Sequence, residues 1–431
     1  MSTLDTAIPL RPVGSLADHR RYKFFVLFFL YVSQSIPAAF FVMAFPVLLR
    51  QGGASLQYIG ILNLLLLPVI FRFVWAPFVD HYASYRGWIL TMQTGCIALM
   101  ISIGFFDWVD DFWVIFAICM LYTLLSTTQD VGVDGLAVRA LDHDERPAGN
   151  ALQVAGQYLG TIVGGGAMIM LFNHVGLPVN LAIIVAVLAI PMLLLIPYRE
   201  PLVEKKERIR LGIKPIVEVV RRPGMLKWMC VLVGYYFGPL MSGNLIRPLL
   251  VDRKVPLETI GFLFGVMSPL LAVAGCAIAP WIIGMLGRRP SMILFTVVAV
   301  MQIACDSLMG AGFVGLATIY GCAAFLAFTS GFFGILAYAI AMDKSKNGSA
   351  GTDFTVQITF LLIGQMCAGV TAGFLAQAIG YQPVFGIAIA MELVVLVAIL
   401  RFVREEDLAG FVSDTGPGTA VTAPLSTAPG A

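Results

Sequence analysis

Charge is scarce in this chain. Only 12% of its 431 residues are Asp, Glu, Lys or Arg, about half the share of an ordinary soluble domain, while 59% are apolar. A water-soluble chain of this length needs more charge to cover its surface, so lipid must be the outer solvent for much of it. Histidine is nearly missing, with four scattered residues. The seven cysteines (Cys96, Cys119, Cys230, Cys276, Cys305, Cys322, Cys367) form no CxxC or Cys/His cluster. Neither a disulfide framework nor a metal site is expected, and the thiols read as small apolar side chains. A net charge of +2 gives no electrostatic case for nucleic acid. There is no nucleophile–base set, no glycine-rich phosphate loop followed by Lys and no HExxH. Hence neither an enzyme nor a bound cofactor is expected, and any work done must draw on a gradient. No cleavable leader is expected, because the first 23 residues are polar and the apolar run after them is long enough to span.

What the chain has is apolar length. A bilayer core of about 30 Å takes roughly 20 residues of helix. Such runs fall at 24–49, 57–78, 88–106, 112–138, 149–172, 177–197, 226–250, 257–286, 290–310, 313–341, 353–378 and 382–402. The expected fold is therefore an all-α integral membrane protein of twelve helices. The weakest divisions are at Asn173-His174 and at Gly310-Ala311-Gly312. With the N-terminus inside, 22 of the 27 Lys and Arg fall on the cytoplasmic side and three (Arg50, Arg253, Lys254) on the other. This bias predicts both termini in the cytoplasm. The charged segment 198–225 divides an N-terminal bundle (24–197) from a C-terminal one (226–403), flanked by a tail at 1–23 and a Pro/Gly/Thr/Ala-rich, disordered tail at 404–431. Runs 2 and 8 both end in a short basic turn (FVDHYASYRGW and IGMLGRRPSM). Runs 5 and 11 both carry glycines four apart (Gly156, Gly160, Gly164; Gly369, Gly373). Small residues at that spacing let helices approach closely in lipid, and their matching places suggest a six-plus-six repeat of the kind transporters build around a central site.

Ionisable side chains are costly at membrane depth, so those inside spans need an explanation. Asp130 and Asp134 in run 4 share a helical face, and Arg139 points elsewhere. Asp130 is the candidate proton or substrate group; Asp134 and Arg139 are candidates for an inner gate. Arg72 in run 2 either snorkels or pairs with a run 4 carboxylate. Asp80 and Arg86 flank the next turn, as a candidate latch. Gln34 beside Pro37, and Gln153 with Gln157, are candidate solute contacts, as are Tyr236, Asn244 and Arg247 in run 7. Asp306 is a candidate structural partner for Arg247. Asp353 caps or couples, Gln357 sits on its face, and Glu392 is an isolated acid.

The stretches RFVWAPFVDHY and TTQDVGVDGLAVRAL resemble a branch of the major facilitator superfamily that includes AmpG muropeptide permeases, acetyl-CoA transporters and RhtX/FptX siderophore permeases. SAGTDFTVQ, at the entry to run 11, looks most like the RhtX/FptX group. The resemblance covers roughly 24–403. It matches Trp75, Pro77 and Asp80 to one motif, Gln129, Asp130, Asp134 and Gly135 to a second, and Thr352, Asp353 and Gln357 to a third. It implies the major facilitator fold, two six-helix bundles working by alternating access, and proton-coupled import across the bacterial inner membrane. The turn DHYASYRG departs from the superfamily pattern by carrying Arg86 without a basic cluster. Twelve spans also fit AmpG-type members with extra helices poorly. The principal expectation is a monomeric ferric-siderophore importer whose partners are the solute, protons and the lipid bilayer. A muropeptide or CoA-type permease, or a drug exporter, is the alternative.

Overall fold

The computed structural model describes residues 20–81, 84–141, 145–198, 218–345 and 350–408. The tails and most of segment 198–225 lie outside them. All secondary structure among the described residues is helical. Eleven stretches are long and apolar enough to cross a membrane. Ten are single crossings: α1 (Arg21–Gln51), α2 (Leu56–Val74), α3 (Tyr85–Ile103), α4 (Phe112–Ala137), α7 (Met225–Asp252), α8 (Leu257–Leu286), α9 (Arg288–Gly310), α10 (Leu316–Asp343), α11 (Asp353–Ile379) and α12 (Tyr381–Phe402). The other, Leu152–Leu195, has 44 residues, about 66 Å of straight helix and twice the bilayer core. It breaks at Gly176, which takes φ 72° and ψ 178° ahead of Pro178. Only glycine adopts that backbone without strain. The stretch is therefore two crossings, α5 (152–175) and α6 (177–195), and the twelve expected spans are present. The break falls at the glycine and not at the polar pair Asn173-His174, because a helix tolerates exposed polar side chains but not a reversed φ.

The two halves repeat one packing scheme. The first helix packs on the fifth and the third on the sixth, as α1 on α5 and α3 on α6, then α7 on α11 and α9 on α12. The basic turns match as well. Arg86 donates to the carbonyls of Leu195 (2.8 Å) and Ile196 (3.0 Å) at the end of α6. Arg289 donates to those of Val403 (2.7 Å) and Leu400 (2.9 Å) at the end of α12. Cations placed on C-terminal carbonyls satisfy groups the helix leaves open. These two contacts of Arg86 tie its own half together. Asp80 lies on the short helix Ala76–His81, with its side chain outside the description.

The glycines divide the packing between the halves. Gly156, Gly160 and Gly164 of α5 lie against Tyr31, Ser35 and Ile36 of α1, within the N-terminal half. Gly369 and Gly373 of α11 instead meet Asn63, Gly60 and Leu56 of α2, across the halves. A second crossing sets Gly166 of α5 on Gly265 of α8, and a Cβ on Gly265 would stand 2.1 Å from the Cα of Gly166. Both helices widen into a π-turn there, at Thr161–Ala167 and Leu263–Met267. In the repeat α2 corresponds to α8 and α5 to α11, so the two crossings are equivalents. Both lie toward the end of the bundle away from the termini, here the far end; the opposite end is the terminal end.

Substitution separates the two kinds of contact. Gly265→Ala should push α8 off α5 and disfavour closure of the far end by about 1–3 kcal/mol. Spin-label distances across the far end should lengthen while the melting temperature changes little. Gly164→Ala, whose Cβ would lie 2.0 Å from the Ile36 carbonyl oxygen inside one half, should lower the melting temperature instead.

Candidate functional site

Two cavities meet between the halves. One, of about 440 Å³, is lined from both, by α1, α2 and α4 on one side and α7, α8, α9, α10 and α11 on the other. The second, of about 540 Å³, lies in the N-terminal half toward the terminal end. Ala38, Val42 and Ser126 line both, so the two adjoin.

Between described residues, every hydrogen bond and ion pair that joins the halves lies at the far end. Arg50 at the end of α1 donates from Nε (2.6 Å) and Nη2 (2.5 Å) to the Asp252 carboxylate at the end of α7. The Tyr381 hydroxyl also donates to Asp252, at 2.6 Å. The Leu56 amide donates to the Gln377 side chain at 2.9 Å, and His174 lies 3.8 Å from Glu258. At the terminal end the pairs stay within a half. Lys23 meets Glu145 at 2.7 Å, Arg222 grips Asp353 and Arg288 meets Asp343 at 2.9 Å. Among the described residues, the bonds that join the halves thus close the space between them at the far end.

Seven of the residues singled out on N-terminal helices fall in two groups. Gln34, Gln153, Gln157, Arg72, Asp130 and Asp134 line the 540 Å³ cavity together. Gln34 leaves a buried Nε2 with no acceptor. The end of α2 is fixed in place by Trp75, whose indole donates to the Thr128 hydroxyl of α4 at 3.0 Å, and a 3-10 turn at Arg72–Val74 brings the helix up to that contact. Arg72 then faces Asp130 and Asp134 across the cavity and closes no ion pair with either. Gln129, one position before Asp130, points the other way: its amide donates to Gln93 of α3, and Gln93 donates to the Leu188 carbonyl of α6 at 2.7 Å. It is buried, 2% exposed, and holds helices together, contrary to the coupling role implied for it. Gly135 leaves room for the Tyr85 ring, which a Cβ there would meet at 2.3 Å. Arg139 stacks on that ring at 4.1 Å.

The C-terminal residues divide likewise. Tyr236, Asn244 and Arg247 line the 440 Å³ cavity. Asp306 does not pair with Arg247; it accepts from Ser242 at 2.6 Å and from Gln302, one layer behind the wall. Gln357 is fully buried and away from the cavity. It accepts from the Trp228 indole at 2.7 Å and donates to the Ala341 and Asp353 carbonyls, both at 3.0 Å. It is a packing residue, not a solute contact. Asp353, also fully buried, is held by Arg222. The side chain of Thr352 lies outside the description. Glu392 sits behind Gly238 of α7, off the cavity, and neither of its carboxyl oxygens has a partner among the described residues.

Sequence reasoning missed the far-end seal. A signal was there: LLRQGGASLQYIG at 48–60 and LLVDRKVPLETIG at 249–261 repeat one spacing, which places Arg50 and Asp252 at equivalent turns of the two halves. It also missed Asn63, Gln302 and Gln365, polar residues of the cavity wall.

This architecture, two repeated six-helix bundles around a central space, is that of a membrane transporter. The profile of the Major Facilitator Superfamily matches residues 24–360, and the chain belongs to that superfamily. It is 24% identical to the anhydromuropeptide permease of Escherichia coli (strain K12) over 406 residues, covering 87% of this chain and 79% of that one. Among solved structures it matches the nucleoside transporter NupG with a TM-score of 0.69 at 12% identity, over 88% of this chain and 98% of that one. A D-xylose–proton symporter matches with a TM-score of 0.67 at 9% identity, over 90% and 99%. At these identities the solved structures show a shared fold and no more.

Asp252→Asn removes the charge of the Arg50 bridge and leaves an acceptor for Tyr381. A hydrogen bond to a charged group contributes about 1.5–3 kcal/mol, on the order of a ten- to a hundred-fold change in the ratio of sealed to open far end. Alkylation of a cysteine placed at Asn244, in the cavity wall behind the seal, by an impermeant reagent added from the far side should accelerate by that order, and less so in high salt, where the wild-type bridge is itself screened.

Proposed function

We propose that this protein is a proton-coupled permease that carries a muropeptide-class solute across the bacterial inner membrane by alternating access. One observation carries the proposal: beside a cavity shared by both halves, and sharing Ala38, Val42 and Ser126 with it, a cavity of the N-terminal half holds two carboxylates with Arg72 and three glutamines at membrane depth. A carboxylate pair one helical turn apart disfavours double ionisation, and such groups inside a membrane typically relay protons. Asp130 is assigned the transported proton, and Asp134 with Arg72 sets the charge around it. The 22-to-3 distribution of basic residues supports cytoplasmic termini, and on that reading the sealed far end is the periplasmic one. Opening of the far end by loss of the Arg50–Asp252 bridge then completes the cycle.

The solute class is supported by the likeness to the anhydromuropeptide permease, which runs along 87% of the chain. The ferric-siderophore reading rests on SAGTDFTVQ. Asp353 and Gln357 of that stretch are engaged inside the C-terminal half and off the cavity, so they lend that cargo no support. The muropeptide reading is preferred to it.

Proteoliposomes under an imposed pH gradient test both parts. Labelled anhydromuropeptide should accumulate with the gradient and stop when it is collapsed. Asp130→Asn should lower gradient-driven uptake by about tenfold or more, equivalent to 1.4 kcal/mol, while solute exchange without a gradient persists. Accumulation of a ferric siderophore instead of the muropeptide would reverse the assignment of cargo.

A further inference from the structure

Asp130, Asp134 and Arg72 belong to the N-terminal wall. The opposite wall has one feature they do not explain, the guanidinium of Arg247. We infer that Arg247 is the anchor for a carboxylate of the transported solute, an inference that rests on reading the cavity as the solute path.

Arg247 lies five residues before Asp252 on α7, about 7.5 Å inside the far-end seal. It therefore stands at the closed floor of the cavity, which it lines with Asn244 of its own helix and Asn63 of the other half. Its contact is the ring of Phe264, 5.1 Å away. Its Nε is buried with no acceptor, and among the described residues no hydrogen bond or ion pair reaches the group. The carboxylates of its half are committed elsewhere or shielded: Asp252 to Arg50 and Tyr381, Asp306 to Ser242 and Gln302, and Glu392 behind Gly238. Asp130 and Asp134 line the neighbouring cavity, with Arg72.

An unpaired cation at this depth is costly, and Arg72, the other in-span arginine without a direct partner among the described residues, at least shares its cavity with Asp130 and Asp134. Arg50, Arg222 and Arg288 each meet a carboxylate, and Arg86 and Arg289 each meet two helix-end carbonyls. An arginine that served packing alone would have found acceptors in the same way. A planar guanidinium over an aromatic face, with its donors unused, is instead matched to an incoming carboxylate, which it holds by two parallel hydrogen bonds. The solute thus supplies the counter-charge that the protein withholds. Its anionic end goes to the floor and its neutral sugar and amide portion faces the glutamines of the N-terminal wall.

Binding to purified full-length protein in nanodiscs tests this. The panel is an anhydromuropeptide as the free acid, the same molecule with its carboxylates amidated, the sugar without peptide, an N-acetylated acidic tripeptide and a sugar phosphate. Wild-type protein should bind the free acid about tenfold or more tighter than the amide. Arg247→Gln should bind both alike, and Arg247→Lys should keep part of the preference, which also guards against a glutamine variant that fails to fold. A wild-type protein indifferent to amidation, or an Arg247→Gln variant that keeps the preference, overturns the anchor and leaves the permease reading standing. Binding of the tripeptide but of neither muropeptide form, with the same dependence on Arg247, overturns the muropeptide reading and supports the anchor. Preference for the sugar phosphate over every carboxylate, or no anion binding at all, overturns the assignment to a carboxylate.

Discussion

A charged side chain at membrane depth needs water or a counter-charge within reach, and this one constraint sorts nearly every ionisable group in the chain. Lys23 with Glu145, Arg222 with Asp353 and Arg288 with Asp343 pair inside a half at the terminal end, where they fix helix ends to one another. Arg50 with Asp252 joins the halves at the far end. The groups left without close partners, Asp130, Asp134, Arg72 and Arg247, line the space between the halves. Once the structural pairs are removed, the ionisable groups that remain gather at the cavities, with Glu392 behind Gly238 as the exception.

Close packing adds a second division of labour. Within a half, glycines bring α5 down onto α1, and arginine caps hold the third helix to the sixth, so each bundle is internally well tied. Across the halves, two glycine crossings, a few polar bonds and a shared apolar cluster join the bundles. Internally tied bundles that meet along such a seam are suited to move as units, in keeping with the inverted and repeated designs of carriers generally.

Much of this was legible in the sequence, for physical reasons. Twelve apolar runs and a lopsided distribution of Lys and Arg are direct consequences of the bilayer. In-span acids such as Asp130 and Asp134 stand out because few charges are tolerated there. Rotational placement was not legible. Gln129 and Asp130 are neighbours in one motif, yet one turns to Gln93 and the other to the cavity. The difference lies in how α3 and α4 face each other, which run length does not encode. Gln357 misled for the same reason: its spacing from Asp353 resembles a lining face, but Trp228 and Ala341 supply its partners. The break at Gly176 was missed by a few residues because polarity was weighed above backbone freedom. The seal was missed because Arg50 and Asp252 lie about 200 residues apart and neither is unusual at a helix end.

The paired crossings have one more consequence. Gly60, Gly373, Gly166 and Gly265 are under steric demand only while the far end is shut; once the bundles part, a methyl group at any of them would meet far less. On the proposed cycle, then, these four positions preserve in the amino-acid sequence the imprint of a conformation the molecule occupies for only part of its time, and drift at any one of them would be felt as a transporter that leaks or stalls and not as one that unfolds.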